Sequence, residues 1–184
     1  MVWGWILGIG IPVIIIIIFI YYFNRFVVLE NRIENSSAQI DVQLKKRADL
    51  VPSLVKVVKS YAKFERDVLT EVTKSRTQMI SGRNIAEKVR AGDKLQNALK
   101  SIFAVAENYP QLKANENYLH LQKELSAIED KVAYARQYYN DSVLELDNAS
   151  SKFPGVMFFK LYGRQKKDYL KIPETSRKMP EIEL

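Results

Sequence analysis

The strongest constraint in this chain is a run of 22 residues without a charge, Val2 to Phe23 (VWGWILGIGIPVIIIIIFIYYF). Wound as a helix at about 1.5 Å per residue, it reaches roughly 33 Å, enough to cross a hydrocarbon core of about 30 Å. A soluble core helix is rarely this long and apolar on every side. Trp3 and Trp5 stand near one end, and Tyr21 and Tyr22 at the other. Their amphipathic rings suit the two membrane–water interfaces. Pro12, near the middle, is a candidate kink. The run is expected to span a lipid bilayer, with residues 1–23 forming the anchor.

A cleaved secretory signal has a basic start, a short apolar core and a small-residue cleavage site. Here no Lys or Arg precedes Arg25, and the run ends in the bulky Ile20, Tyr21, Tyr22 and Phe23. A retained signal anchor is therefore expected. Arg25 and Arg32, then Lys45, Lys46 and Arg47, follow the run. Basic flanks favour the cytoplasm, so the expected orientation is N-terminus outside and bulk domain inside, at the inner (cytoplasmic) membrane. The absence of Cys excludes a lipoprotein anchor but suits either compartment.

The rest of the chain is long enough for one domain with a core of its own. Gly and Pro are sparse, at 7 and 6 residues, and most of the Pro residues fall between long helix-forming stretches. No stretch alternates long enough to argue a sheet, so the domain reads as all-α. Four helices are expected over about 24–47, 51–80, 85–109 and 111–152, within a bundle domain of residues 24–153.

In the first, Phe26, Leu29, Ile33, Ile40 and Leu44 form one stripe, with Ser36 and Ser37 in its gap. Asp49 and Pro52 suggest a turn or sharp kink over Ala48–Pro52. Leu54, Val57, Tyr61, Phe64, Val68, Val72 and Met79 continue the stripe, with Ser75 its weak member. Ser81, Gly82 and Asn84 mark a turn. The third helix is crowded early by Lys88, Arg90, Asp93 and Lys94 around Gly92. Leu95, Leu99, Ile102, Ala106 and Tyr109 then make a clean face. The fourth carries a heptad-like seam: Tyr118, Leu121, Leu125, Ile128, Val132, Ala135, Tyr139, Val143 and Leu146.

Phe153-Pro154-Gly155 stops that helix, and residues 154–184 form a basic aromatic segment and tail. Phe158, Phe159, Lys160, Tyr162 and Arg164 are the candidate interfacial group. They suit either a headgroup boundary, with Lys and Arg on anionic lipid, or a cover for the bundle end or a neighbouring subunit.

Chemistry is thin. His120, the only histidine, lies four residues after Glu116. Di-iron bundles use Glu-x-x-His in paired copies, so a surface or half-buried histidine is the better reading. No HExxH, Gly-rich phosphate loop or cysteine nucleophile is present. No catalytic residue, cofactor or metal ligand is assigned. The net charge of +7 suits an anionic membrane surface. Nucleic acid is not an expected partner, because the basic residues are scattered among acids. Asn35, Gln39, Asp41, Arg47, Arg136 and Asn140 form the candidate polar seam or interaction face. Buried polar groups of this kind more often fix helix register than bind a ligand.

The segments NRIENSSAQIDVQLKKRADLVPSLVKVVKSYAKFERDVLTEVTKSR (Asn31 to Arg76), ENYPQLKANENYLHLQKELSAIEDKVAYARQYYND (Glu107 to Asp141) and KFPGVMFF (Lys152 to Phe159) resemble the LemA family in order and spacing. The resemblance covers nearly the whole chain. It implies a membrane-anchored protein with a long antiparallel, up-and-down four-helix bundle and no recognised catalytic machinery. A link of some members to membrane metalloproteases, by gene neighbourhood, is a weak hint. Ser36-Ser37 stands where Ala-Trp is common, and Phe64 where His is common; both departures fall on the inner stripe.

The expected function is a non-enzymatic membrane-anchored scaffold or interaction protein that self-assembles. The seam of the fourth helix is longer than the third helix can cover, and Gly4-x-x-x-Gly8 with Gly10 permits close helix approach in the span. One alternative is an adaptor or regulator of a membrane-bound protease or other membrane protein. Another is an uncharacterised hydrolase.

Overall fold

The computed structural model describes residues 2–61 and 66–171, with side chains described for 9–61 and 67–171. Every regular element among these residues is helical. They are α1 (Val2–Tyr61), α2 (Arg66–Ser81), α3 (Ile85–Ala106), α4 (Pro110–Lys113), α5 (Glu116–Ser151) and α6 (Gly155–Leu161). Two compact units form. The first comprises Met1–Ser36 with Tyr138–Tyr169, and the second Ser37–Gln137 with Leu170–Leu184. Helices α1 and α5 contribute residues to both.

Helix α1 corrects one expectation. It runs without interruption through Ala48–Pro52, so the break between helices ending at 47 and starting at 51 does not occur. A proline inside a helix has no N–H for the carbonyl four residues earlier. For Pro52 that carbonyl belongs to Ala48, and Ala48 is buried. Arg76 of α2 donates from Nε to this oxygen at 2.7 Å. A side chain 28 residues away thus replaces the missing backbone donor, and the helix continues.

Continuity also moves the stripe. Leu44, Ala48, Val51, Leu54 and Val58 are buried, whereas Tyr61 is 42% exposed and Val57 only half-buried. The expected Val57 and Tyr61 therefore yield to Val58, because no turn resets the phase of the helix. Phe64 lies outside the described residues.

In the second unit α2 packs on α3. The turn between them is capped as the sequence suggests: Asn84 Oδ1 accepts from the Glu87 amide at 2.9 Å. The Glu87 carboxylate reaches back to the Arg83 amide at 2.9 Å. Such reciprocal pairing satisfies donors that a helix start leaves open. At Gly92 the helices approach closely: a Cβ there would meet Leu44 Cδ2 at 2.8 Å, and the Leu44 side chain would have to shift. On α3, Leu95, Leu99, Ile102 and Ala106 are buried. On α5, the seam residues Tyr118, Leu121, Leu125, Ile128, Val132 and Ala135 are buried in this unit. Asn115 starts α5 by accepting from the Tyr118 amide at 3.0 Å.

The first unit gathers Phe26, Leu29 and Ile33 of α1, Tyr139, Val143 and Leu146 of α5, and Phe159 of α6. Ser36 is fully buried and donates to its own helix at the Arg32 carbonyl. This bond removes the cost of an unpaired hydroxyl in the gap of the stripe. Gly155 lets the chain fold back over the end of α5, because a Cβ there would collide with the Ala149 carbonyl oxygen.

Candidate functional site

The polar residues of the second unit meet as three cation–anion pairs. Arg47 of α1 pairs with Glu129 of α5, Arg136 of α5 with Asp93 of α3, and Lys88 of α3 with Asp41 of α1, the last at 2.6 Å. The arginine side chains are 1% and 8% exposed, while their carboxylate partners keep 36% and 27%. Each guanidinium also donates to a backbone carbonyl of α3, Arg47 to Gly92 and Arg136 to Val89, both at 3.4 Å.

Burial lowers the Arg47 pKa, and Glu129 opposes that shift. Burial likewise raises the Asp93 pKa against the pull of Arg136. For both groups the cost of leaving water exceeds the gain from the partner. Arg47 still carries its charge near neutrality, because a guanidinium starts from so high a value.

Beside the Lys88–Asp41 pair lies an open groove of about 280 Å³, with Leu44, Ala48, Met79 and Ile80 on its walls. This arrangement can hold helices in register and present charge at its rim. His120 is exposed on α5. Among the described residues, no three His, Cys, Asp or Glu side chains gather closely enough to hold a metal ion.

The aromatic segment builds a second feature, within the first unit. Phe158 stacks on Tyr22 with ring centroids 5.5 Å apart and meets Phe19 edge-on at 6.0 Å. Phe159 is buried against Phe26 at 5.3 Å. Tyr162 donates its hydroxyl to the Phe19 carbonyl at 2.8 Å and lies 5.4 Å from the Phe23 ring. Arg164 pairs with Glu30 while its guanidinium sits 5.3 Å from the Phe23 ring centroid. Lys160 points to solvent.

The candidate polar face thus separates. Arg47, Arg136 and Asp41 join the charge network of the second unit. Gln39, in the same unit, is exposed beside Gln43 and Tyr134 in a different shallow groove. Asn35 is exposed and Asn140 half-buried, and both belong to the first unit. Of the span residues, Val2, Trp3 and Trp5 have side chains outside those described, as do Gly4 and Gly8. Pro12 lies within α1. Tyr21 is exposed and accepts from Arg25 at 3.2 Å, whereas Tyr22 and Phe23 face the aromatic segment. The tail beyond residue 171 falls outside the description.

Sequence reasoning missed Lys88, Asp93, Glu129 and Arg76. The charges crowding Gly92 were the available signal for the first two, and they read only as a weak helix. Glu129 neighbours the seam residue Ile128 and stands seven residues before Arg136, which hints at a polar rail beside the seam. Pro52 hints that some donor must reach the Ala48 carbonyl but does not name it.

A model of the LemA family matches residues 36–184. Among curated proteins, the chain is 22% identical to Magnetosome protein MamQ of Magnetospirillum gryphiswaldense, covering 80% of this chain and 64% of that protein. The same figures hold for Magnetosome protein MamQ 2 of Paramagnetospirillum magneticum. It is 28% identical to Protein LemA of Metamycoplasma hominis, covering 66% of this chain and 58% of that one. The chain therefore spans less than two thirds of the length of these relatives.

Proposed function

This chain belongs to the LemA family, and on that premise we propose that it is a membrane-anchored, non-catalytic scaffold that assembles with copies of itself. One observation carries the reading. Helix α1 is a single element from Val2 to Tyr61 whose surroundings change abruptly along its length. Ile9, Ile14 and Ile17 are 59%, 57% and 60% exposed, whereas Phe26, Ile40 and Leu44 are at most 1% exposed. A bare apolar length followed in the same helix by a packed length suits an element with one part in lipid and the other in protein. The orientation we infer puts the N-terminus outside and the bundle in the cytoplasm at the inner membrane, following the basic flank.

An antiparallel bundle of α1, α2, α3 and α5 is the arrangement we favour. Its support is the set of ties in the second unit: Arg76 on Ala48, Lys88 on Asp41, Arg47 on Glu129 and Arg136 on Asp93. The charged network is read as a register device. Exposed Tyr134 (71%) and Leu144 (50%) on α5 offer apolar surface for assembly.

Mild detergent extraction followed by light scattering and native mass spectrometry tests this reading. A single homo-oligomer retained in the membrane pellet after alkaline carbonate washing is the expected result. A monomer that brings down one other membrane protein in fixed ratio replaces it with the adaptor reading. Release by carbonate overturns the anchor.

A further inference from the structure

We infer that α6 and its flanks make a second contact with the membrane, resting on the reading that α1 crosses it. The partner is the anionic headgroup boundary. Three observations converge, all within the first unit.

The first is depth. Tyr162 bonds the Phe19 carbonyl, and the Phe158 and Tyr162 rings lie against Phe19, Tyr22 and Phe23. Phe19 stands one helical turn before the end of the apolar run at Phe23. The inner face of α6 is thus fastened to the stretch of α1 that emerges from the hydrocarbon.

The second is an apolar ridge facing away from α1. Met157 and Leu161, four residues apart on one side of α6, are 61% and 70% exposed, and Phe153, in the turn just before the helix, is 80% exposed. The face opposite, with Phe159 and Gly155, is buried. A seven-residue helix and the turn before it have no need of three bare large side chains for their own packing, and lipid at that depth would cover them.

The third is charge. From Lys152 to Lys167 the chain has five Lys or Arg residues and no Asp or Glu. Arg164 is taken by Glu30, and Lys166 lies 3.6 Å from Asp147. Lys152, Lys160 and Lys167 are exposed. An apolar ridge beside exposed lysines is the combination that seats in a headgroup layer.

The chain has no Cys, so single labels report cleanly. Leu161→Cys and Ile15→Cys variants of the full chain would carry an environment-sensitive fluorophore. They would be reconstituted in phosphatidylcholine vesicles with and without phosphatidylglycerol, containing lipids nitroxide-labelled at shallow or deep positions. The expected result is a label at 161 quenched at least twofold more by the shallow than by the deep nitroxide. Phosphatidylglycerol should strengthen this quenching, and that gain should vanish in the Lys152→Gln/Lys160→Gln/Lys167→Gln background. The label at 15 should prefer the deep nitroxide.

If 15 is deep but 161 is open to aqueous iodide, the inference fails and the anchor stands. If 161 is shielded from iodide yet untouched by either nitroxide, a second copy or other protein covers the ridge, and the inference fails again. Should 15 itself be open to iodide, both readings fall. A shallow position unaffected by phosphatidylglycerol overturns the role of the lysines. Met157→Cys repeats the measurement from a second exposed position, so that a local effect of one label does not decide it.

Discussion

The two units join their helices with a different balance of groups, although the first also holds the Arg164–Glu30 pair. The first is tied by rings: Phe19, Tyr22, Phe23 and Phe26 of α1 receive Phe158, Phe159 and Tyr162. The second is tied by charge, with Arg47 and Arg136 almost wholly buried among α1, α3 and α5. Aromatic contact stabilises chiefly through the large apolar area that it buries. A buried ion pair adds little net stability, yet it penalises every register that leaves a charge alone. The ring-bonded unit should therefore answer to lost volume, and the charge-bonded unit to lost partners.

The largest effect expected is at Arg47. Glu129→Ala leaves the buried Arg47 guanidinium without its carboxylate partner, and should cost roughly 3 kcal/mol in denaturant unfolding of the detergent-solubilised chain. An Arg47→Met/Glu129→Leu double variant should regain most of that loss, because no half-pair remains. Equal loss in both would show that Arg47 acts through its packing.

Phe159→Ala sharpens the other side of the comparison. Removal of a buried ring should cost about 3 kcal/mol, and Phe159→Leu should cost distinctly less, a difference that thermal unfolding resolves. An ion-pair mechanism would not grade with volume in this way.

A third test concerns Pro52. Arg76→Ala strips the Ala48 carbonyl of its donor and should cost about 1–3 kcal/mol. In a Pro52→Ala background the helix supplies its own N–H, so the same change should become nearly neutral. The double-mutant cycle reads that coupling directly, and additive costs would refute the replacement of one donor by the other.

The smallest effect is a matter of sign. Asp93 has its pKa raised by burial despite Arg136. The folded state then holds the proton more tightly than the unfolded one between the ordinary aspartate value and the raised one. Its contribution to stability is therefore fully present below the unfolded value and declines as pH rises through the folded value. Compared with Asp93→Asn, the natural chain should gain stability as the solution is acidified through that window. Loss on acidification, as for a carboxylate held low by its partner, would reverse the assignment.

Periodicity anticipated most of what is buried. The α5 seam from Tyr118 to Leu146 and the α1 stripe from Phe26 to Leu44 both face the interior as read. Ser36 was legible as a gap-filler because its position, not its polarity, decided its side. The aromatic content of the 158–162 segment was visible, but its attachment to Phe19 and Tyr22 was not. The segment meets residues more than 130 positions earlier, and no local pattern encodes that meeting. The polar candidates were half legible: Arg47 and Arg136 stood out on apolar faces, while Glu129 and Asp93 looked like ordinary surface acids.

The sequence by itself determined that the chain is helical, that one length of it is too apolar for water, and which side of α5, and of α1 from Phe26 to Leu44, turns inward. These follow from residue spacing and from the cost of wetting apolar surface, both of which act locally. Tertiary structure decided that α1 continues through Pro52, which carboxylate each arginine meets, and how α6 lies on α1. Those outcomes rest on partners far apart in the chain. Pro52 shows the reason most plainly: its own chemistry argues for a break, and only a donor brought in by folding keeps the helix whole.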